Sequence, residues 1–153
     1  MAVETLADAS QEARAEQIEL PEGYRPSADE TFMGPLMTEY FRRRLLAWRA
    51  EILREGRETL GQLASEPLKE PDSTDRASSE TDWGIELRTR DRQRKVIAKI
   101  DEALRRIEAG EYGYCDVTGE PISIQRLEAR PIATMTLEAQ ERHERIERVS
   151  RDD

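Results

Sequence analysis

In a chain of 153 residues, apolar and charged residues each make up 37% and aromatics only 5%, too little apolar mass for a thick globular core. The net charge of −9 opposes general binding to nucleic acid, because phosphates repel an acidic surface unless basic residues are segregated on it. Cys115 is the single cysteine and excludes an intramolecular disulfide; no apolar run has bilayer-spanning length, and the acidic start lacks the pattern of a secretory signal, so a soluble, cytoplasmic protein with no membrane contact is expected.

Residues 1–30 hold eight acids against Arg14 and Arg25. A weak helix is expected from Glu4 to Glu19, then a loop interrupted by Pro21, Gly23, Pro26 and Gly34. Gly34-Pro35 reads as a helix start, since proline at the first helical position forfeits no hydrogen bond. From there to about Ser65, Phe41, Leu45, Trp48, Ile52, Leu60 and Leu63 recur at three- and four-residue spacing, with Leu46 and Leu53 widening the stripe. Such a segment extends about 45 Å at 1.5 Å per residue. Pro67 and Pro71 interrupt it. A second helical pattern runs to about Ala109 on Trp83, Leu87, Ile97, Ile100, Leu104 and Ile107. Two long amphipathic helices joined by a short turn fold back on each other, which predicts an antiparallel coiled-coil hairpin over 35–109 with its tip near 66–77. A hairpin that satisfies its own seam favours a monomer.

The seam is interrupted. Gly56, Gly61 and Gly84 weaken the helices, and Arg88 to Lys95 contains no apolar residue. Gly84 to Arg106 carries eight basic residues against four acidic, so the basic charge is segregated after all, toward something other than the partner helix. At the tip, Asp72 suits the N-cap of the second helix and Asp75 its third residue, where carboxylates favour the positive end of the helix dipole. Capping accounts for that spacing. Carboxylates at the end of a projection also suit entry into a narrow, positively charged or metal-containing cavity.

After Gly110 the chain becomes rich in turns, with Gly113, Gly119, Pro121 and Pro131. Val117, Ile122, Ile124, Leu127, Ile132, Met135 and Leu137 are the expected small core, and a last helix is expected from about Thr136 to Arg151. Cys115, Thr118, Thr136 and Ala139 have the spacing of a four-ligand zinc site with three ligands replaced. One thiolate and the lone His143 do not close a tetrahedral site, so no zinc is expected. The fold class is therefore mainly α: a long hairpin, a small zinc-finger-like C-terminal domain lacking zinc over 110–153 that includes the final helix, and residues 1–34 packing on the globular part.

Several stretches together resemble the DksA family of bacterial transcription regulators: EYFRRRLLAWR from Glu39, the tip PDSTDRAS, ELRTRDRQRKVIAKI from Glu86, GEYGYC from Gly110 and RLEARP from Arg126. The resemblance spans about residues 20–140 and departs from the family at the zinc positions. It implies a non-enzymatic factor that binds RNA polymerase without contacting DNA and passes its coiled coil through the secondary channel toward the catalytic magnesium. There Asp72, Asp75 and Ala77 alter promoter-complex stability at ribosomal RNA promoters, the two acids by charge and the alanine by smallness. By the same resemblance Arg92, Lys95, Lys99 and Arg126 face polymerase in the stringent response. Lys99 and Arg130 lie toward guanosine tetraphosphate at the junction, while Gln140 stands where relatives carry a lysine. Two other readings fit the tip: a transcript-cleavage factor whose carboxylates hold a second magnesium, and a structural coiled-coil adaptor.

Overall fold

The computed structural model describes residues 18–65 and 73–152, with side chains over 18–61 and 80–151. Among the described residues four helices follow in order: α1 (Pro35–Ser65), α2 (Ser73–Glu108), α3 (Ile124–Ala129) and α4 (Leu137–Asp152). The chain forms two compact units, one of Met1–Leu45 with Ala103–Asp153 and one of Leu46–Glu102, so the division falls inside both long helices. The expected tip, with Pro67, Pro71 and Asp72, lies largely outside the described residues.

In the Leu46–Glu102 unit, the Arg49 guanidinium meets the Asp101 carboxylate at 2.8 Å. A Cβ added to Gly56 stands 3.9 Å from the Gln93 amide oxygen. The partner number falls from 101 to 93 as the first rises from 49 to 56, the register of an antiparallel pair. Ile52 and Ile100 are buried in this unit. Toward lower numbers on α2 the half-buried positions pass to Ile97, Val96, Gln93, Arg90, Thr89 and Glu86, still three or four apart. The apolar-free stretch therefore keeps its helical face and fills it with polar stems, opposite a glycine that leaves room for one of them. Leu60 and Leu87, expected in the seam, are 45% and 60% exposed, because Thr59 and Glu86 take the inward positions one residue earlier.

In the other unit Met37, Phe41 and Leu45 form one fully buried stripe of α1, and Ala103, Tyr112, Cys115, Ile122, Leu127, Ala133 and Ala139 complete the core. Phe41 lies 5.7 Å from the Tyr112 ring and Phe32 meets Tyr114 edge-on at 5.3 Å. Glu39 is buried and accepts from Arg42 and Arg43 at 2.9 Å each. Arg43 also donates to the Ile18 carbonyl at 2.7 Å, and Arg44 pairs with Glu128 of α3 at 3.2 Å.

Most of the helix expected over Glu4–Glu19 lies outside the described residues, but Ile18 and Glu19 are not helical, since Pro21 biases the residue before it toward extended backbone. Two assignments to the small core are corrected: Val117 is 68% exposed on a tight turn and Leu137 is 54% exposed at the start of α4. Tyr112, Cys115 and Ala139 take the buried places instead. The short helix α3 also stands in a region read as turns, capped by the Ser123 hydroxyl, which accepts from the Arg126 N–H.

Candidate functional site

Three groups of residues carry the functional expectations. At the tip, α2 begins at Ser73, so Asp75 and Ala77 fall in its first turns; Asp72 and the side chains of Asp75 and Ala77 lie outside the described residues.

Along α2, Arg92, Lys95 and Lys99 share one exposed face, as spacings of three and four residues dictate. Arg88 extends the same stripe by one turn and is also exposed, a member that listing single basic positions misses but helical spacing reveals. The stripe lies well over a quarter turn from the face that carries Gln93, Ile97 and Ile100. Lys95 pairs with Asp91 at 3.2 Å, and Arg92 donates to the Thr89 hydroxyl at 3.4 Å. Both contacts are exposed and worth only tenths of a kcal/mol, so either cation turns to a new partner at little cost.

Arg126 behaves differently. It is half-buried and its Nε donates to the Met135 carbonyl at 2.9 Å, tying α3 to the segment before α4. Arg130 is exposed at the C-cap of α3, its N–H bonded to the Arg126 carbonyl at 2.7 Å. Gln140 is half-buried on α4 and donates to Glu144 at 3.0 Å.

The finger-like segment is built around Cys115. α2 ends where Gly110 adopts φ 74°, with its N–H on the Ile107 carbonyl at 3.1 Å and the Glu111 N–H on the Arg106 carbonyl at 2.8 Å, the two bonds of a glycine-stopped helix. The Arg106 guanidinium then holds the Tyr114 carbonyl at 2.7 Å. Cys115 donates its N–H to the Glu120 carbonyl at 2.7 Å, and the turn closes where the Gly119 N–H reaches the Cys115 carbonyl at 2.9 Å. Burial pushes the Cys115 thiol up, but hydrogen bonds to the sulfur from the Thr118 hydroxyl and from the N–H groups of Thr136, Thr118 and Val117 outweigh it, bringing the thiol down to about 7.

Of the four positions with zinc-ligand spacing, only Cys115 offers a soft ligand, so zinc has nothing to complete its shell. Thr136 Oγ1 already accepts from the Ala139 N–H at 3.3 Å as the cap of α4, and Ala139 offers only a methyl group. Among the described residues no three His, Cys, Asp or Glu side chains come together to hold a metal ion. The donor set does not fit the four-ligand zinc that the spacing evokes.

Two family models match the chain: the N-terminal domain of DnaK suppressor protein DksA over residues 37–107, and the prokaryotic DksA/TraR C4-type zinc finger over residues 110–145. The chain is 66% identical over 130 residues to the RNA polymerase-binding transcription factor DksA of Caulobacter vibrioides, covering 85% of this chain and 92% of that protein. It is 39% identical over 117 residues to the protein of the same name from Escherichia coli K12, covering 76% and 78%. The solved structure of transcription factor DksA2 from Pseudomonas aeruginosa superposes with a TM-score of 0.71 at 36% identity, covering 90% of this chain and 98% of that one. A long helical pair followed by a finger-like segment, matched in order and over 78% or more of the length of each of these relatives, makes this chain a member of the DksA family.

Proposed function

We propose that this protein is a non-enzymatic regulator of bacterial transcription that works in the cytoplasm, as a monomer, by binding RNA polymerase directly. The observation that carries the reading is its 66% identity, over 92% of the relative's length, to a protein named for binding RNA polymerase. The exposed stripe of Arg88, Arg92, Lys95 and Lys99 supports it, as a cationic surface suited to acidic protein rather than to its own helix partner. DNA is not contacted, in keeping with the net charge of −9.

In this reading the α1–α2 hairpin enters the secondary channel and carries Asp72 and Asp75 toward the catalytic magnesium. Their charge destabilises promoter complexes, foremost at ribosomal RNA promoters in the stringent response, and the small Ala77 lets the tip approach. Guanosine tetraphosphate binds where regulator and polymerase meet, with Lys99 and Arg130 facing its phosphates. Gln140 adds no charge there, so the nucleotide's effect is weaker than in a relative with lysine at that position. Arg126 contributes by positioning, through its bond to the Met135 carbonyl. Zinc plays no part.

The test is Asp75→Asn, read by two assays on the same preparations. Affinity for polymerase stays within about twofold of the parent while inhibition at a ribosomal RNA promoter is lost. Loss of binding together with inhibition refutes a role for Asp75 inside the channel, and retention of both refutes a role for the tip.

A further inference from the structure

From Glu141 to Ser150 every residue of α4 is exposed. Upstream the helix is well seated, with Thr136 and Ala139 buried. Beyond that first turn it carries Ile146 and Val149 at helical spacing, 60% and 65% exposed. A helix this short is marginal in water without a covered face. Two β-branched residues lower its intrinsic stability further. The local pairs Gln140–Glu144 at 3.0 Å and His143–Glu147 at 3.3 Å offset little of that. Ile146 and Val149 line an open, shallow groove along α4 with Arg142, Arg145 and Ser150; among the described residues its lining holds two cations and no carboxylate. Its occupant should be apolar along one side and acidic overall. A second copy of the same face brings arginine against arginine and is disfavoured.

We infer that residues 1–17 of the same chain dock in this groove. They hold Glu4, Asp8, Glu12 and Glu16 against the single cation Arg14. Val3, Leu6, Ala7 and Ala13 fall on one side of a helical projection, with Ser10 between them; Glu4 borders that stripe on one side and Glu16 on the other. A helix of seventeen residues would extend about 25 Å, close to the roughly 24 Å of the sixteen in α4. The tether is fixed at a known point: the Ile18 carbonyl accepts from Arg43 at 2.7 Å, in the same compact unit as α4. A compact unit of about a hundred residues is roughly 35 Å across. The segment reaches over 50 Å when extended, so every face of its own unit is accessible to it. Tethering at this length gives an effective concentration of about a millimolar, enough to populate a modest contact.

The test is hydrogen exchange of the full-length protein, comparing the parent with the double variant Val3→Asp, Leu6→Asp. Docking predicts that amides of residues 142–150 exchange about tenfold or more faster in the variant, with those of 37–45 unchanged and no dependence on protein concentration. Equal exchange in parent and variant overturns the inference, as does parental protection that fades on dilution, which identifies a second copy as the occupant. The charge arm uses Arg142→Glu with Arg145→Glu, which speeds exchange in the same region, and adds Glu4→Arg with Glu16→Arg, which restores protection. Failure of that restoration also overturns the assignment.

Discussion

Replacing Cys115 by serine removes the one thiolate at the centre of the finger-like segment and tests whether its four hydrogen bonds outweigh burial. In the folded protein the thiol stands at about 7, against an ordinary 9.0. A pKa lowered on folding means the unfolded chain binds more protons between those values, so stability rises with pH through that window. The contribution is complete above the unfolded value and lost as pH falls through about 7. A gap of about two units corresponds to ~2.7 kcal/mol at 1.36 kcal/mol per unit. The assay is urea unfolding followed by circular dichroism at about pH 6, 7.5 and 9, comparing parent with Cys115→Ser. The parent's advantage should grow across that range by about 2–3 kcal/mol. The tyrosines do not interfere, because burial and Glu30 push Tyr24 up to about 12, and burial pushes Tyr112 higher still. Their neutral forms contribute stability that is lost only as pH rises past 10, above the window used. Chelator should leave both curves in place. A difference between the proteins that stays flat, or that shrinks toward high pH, refutes the hydrogen-bonded thiolate.

Glu39→Gln should cost about 1–2 kcal/mol in the same unfolding assay, since a buried carboxylate holding two arginines is lost while those arginines, 29% and 48% exposed, still reach water. Nothing lies within 4 Å of a Cβ added at Gly61 or Gly84, so alanine at either should stabilise the helix by about 0.8–1 kcal/mol. Gly113→Ala should lower stability, because its φ is 90° and the added carbon meets Met33 Cε and Cγ at 3.0 Å.

The long helices were legible because periodicity and punctuation agree along them. Pro35 opens α1 and Gly110 follows α2, and the Phe41–Leu45–Ile52 stripe is the one that is buried. The polar half of the seam was not legible. A pattern of apolar residues cannot show that Gln93 packs beside Gly56, because that fit depends on the register of two segments 37 positions apart. Val117 and Leu137 misled for a related reason: in a region built from turns, hydrophobicity alone does not say which side of a turn faces inward, and the small Cys115 and Ala139 held those places. The resemblance named Arg92, Lys95 and Lys99 but not Arg88, which helical spacing adds to their stripe, whereas the bond of Arg126 to the Met135 carbonyl depends on a fold that brings α3 beside the start of α4.

That long-range pairing also accounts for how the finger-like segment closes. A metal joins two strands of chain at one point. Here the same joining is spread over separate directional bonds between residues 112–118 and 126–136: the Tyr112 hydroxyl donates to the Pro131 carbonyl at 2.7 Å and the Asp116 N–H to the Thr134 carbonyl at 2.9 Å. Arg126 secures the far side through the Met135 carbonyl. Each such bond contributes about 0.5–1.5 kcal/mol net, more where charge is involved. Loss of any one therefore weakens the segment by degrees, whereas loss of a structural zinc removes its whole closure at once. The zinc positions can then vary without loss of the surrounding fold, because the bonds that remain are largely made by backbone groups, which substitution of a ligand side chain leaves in place.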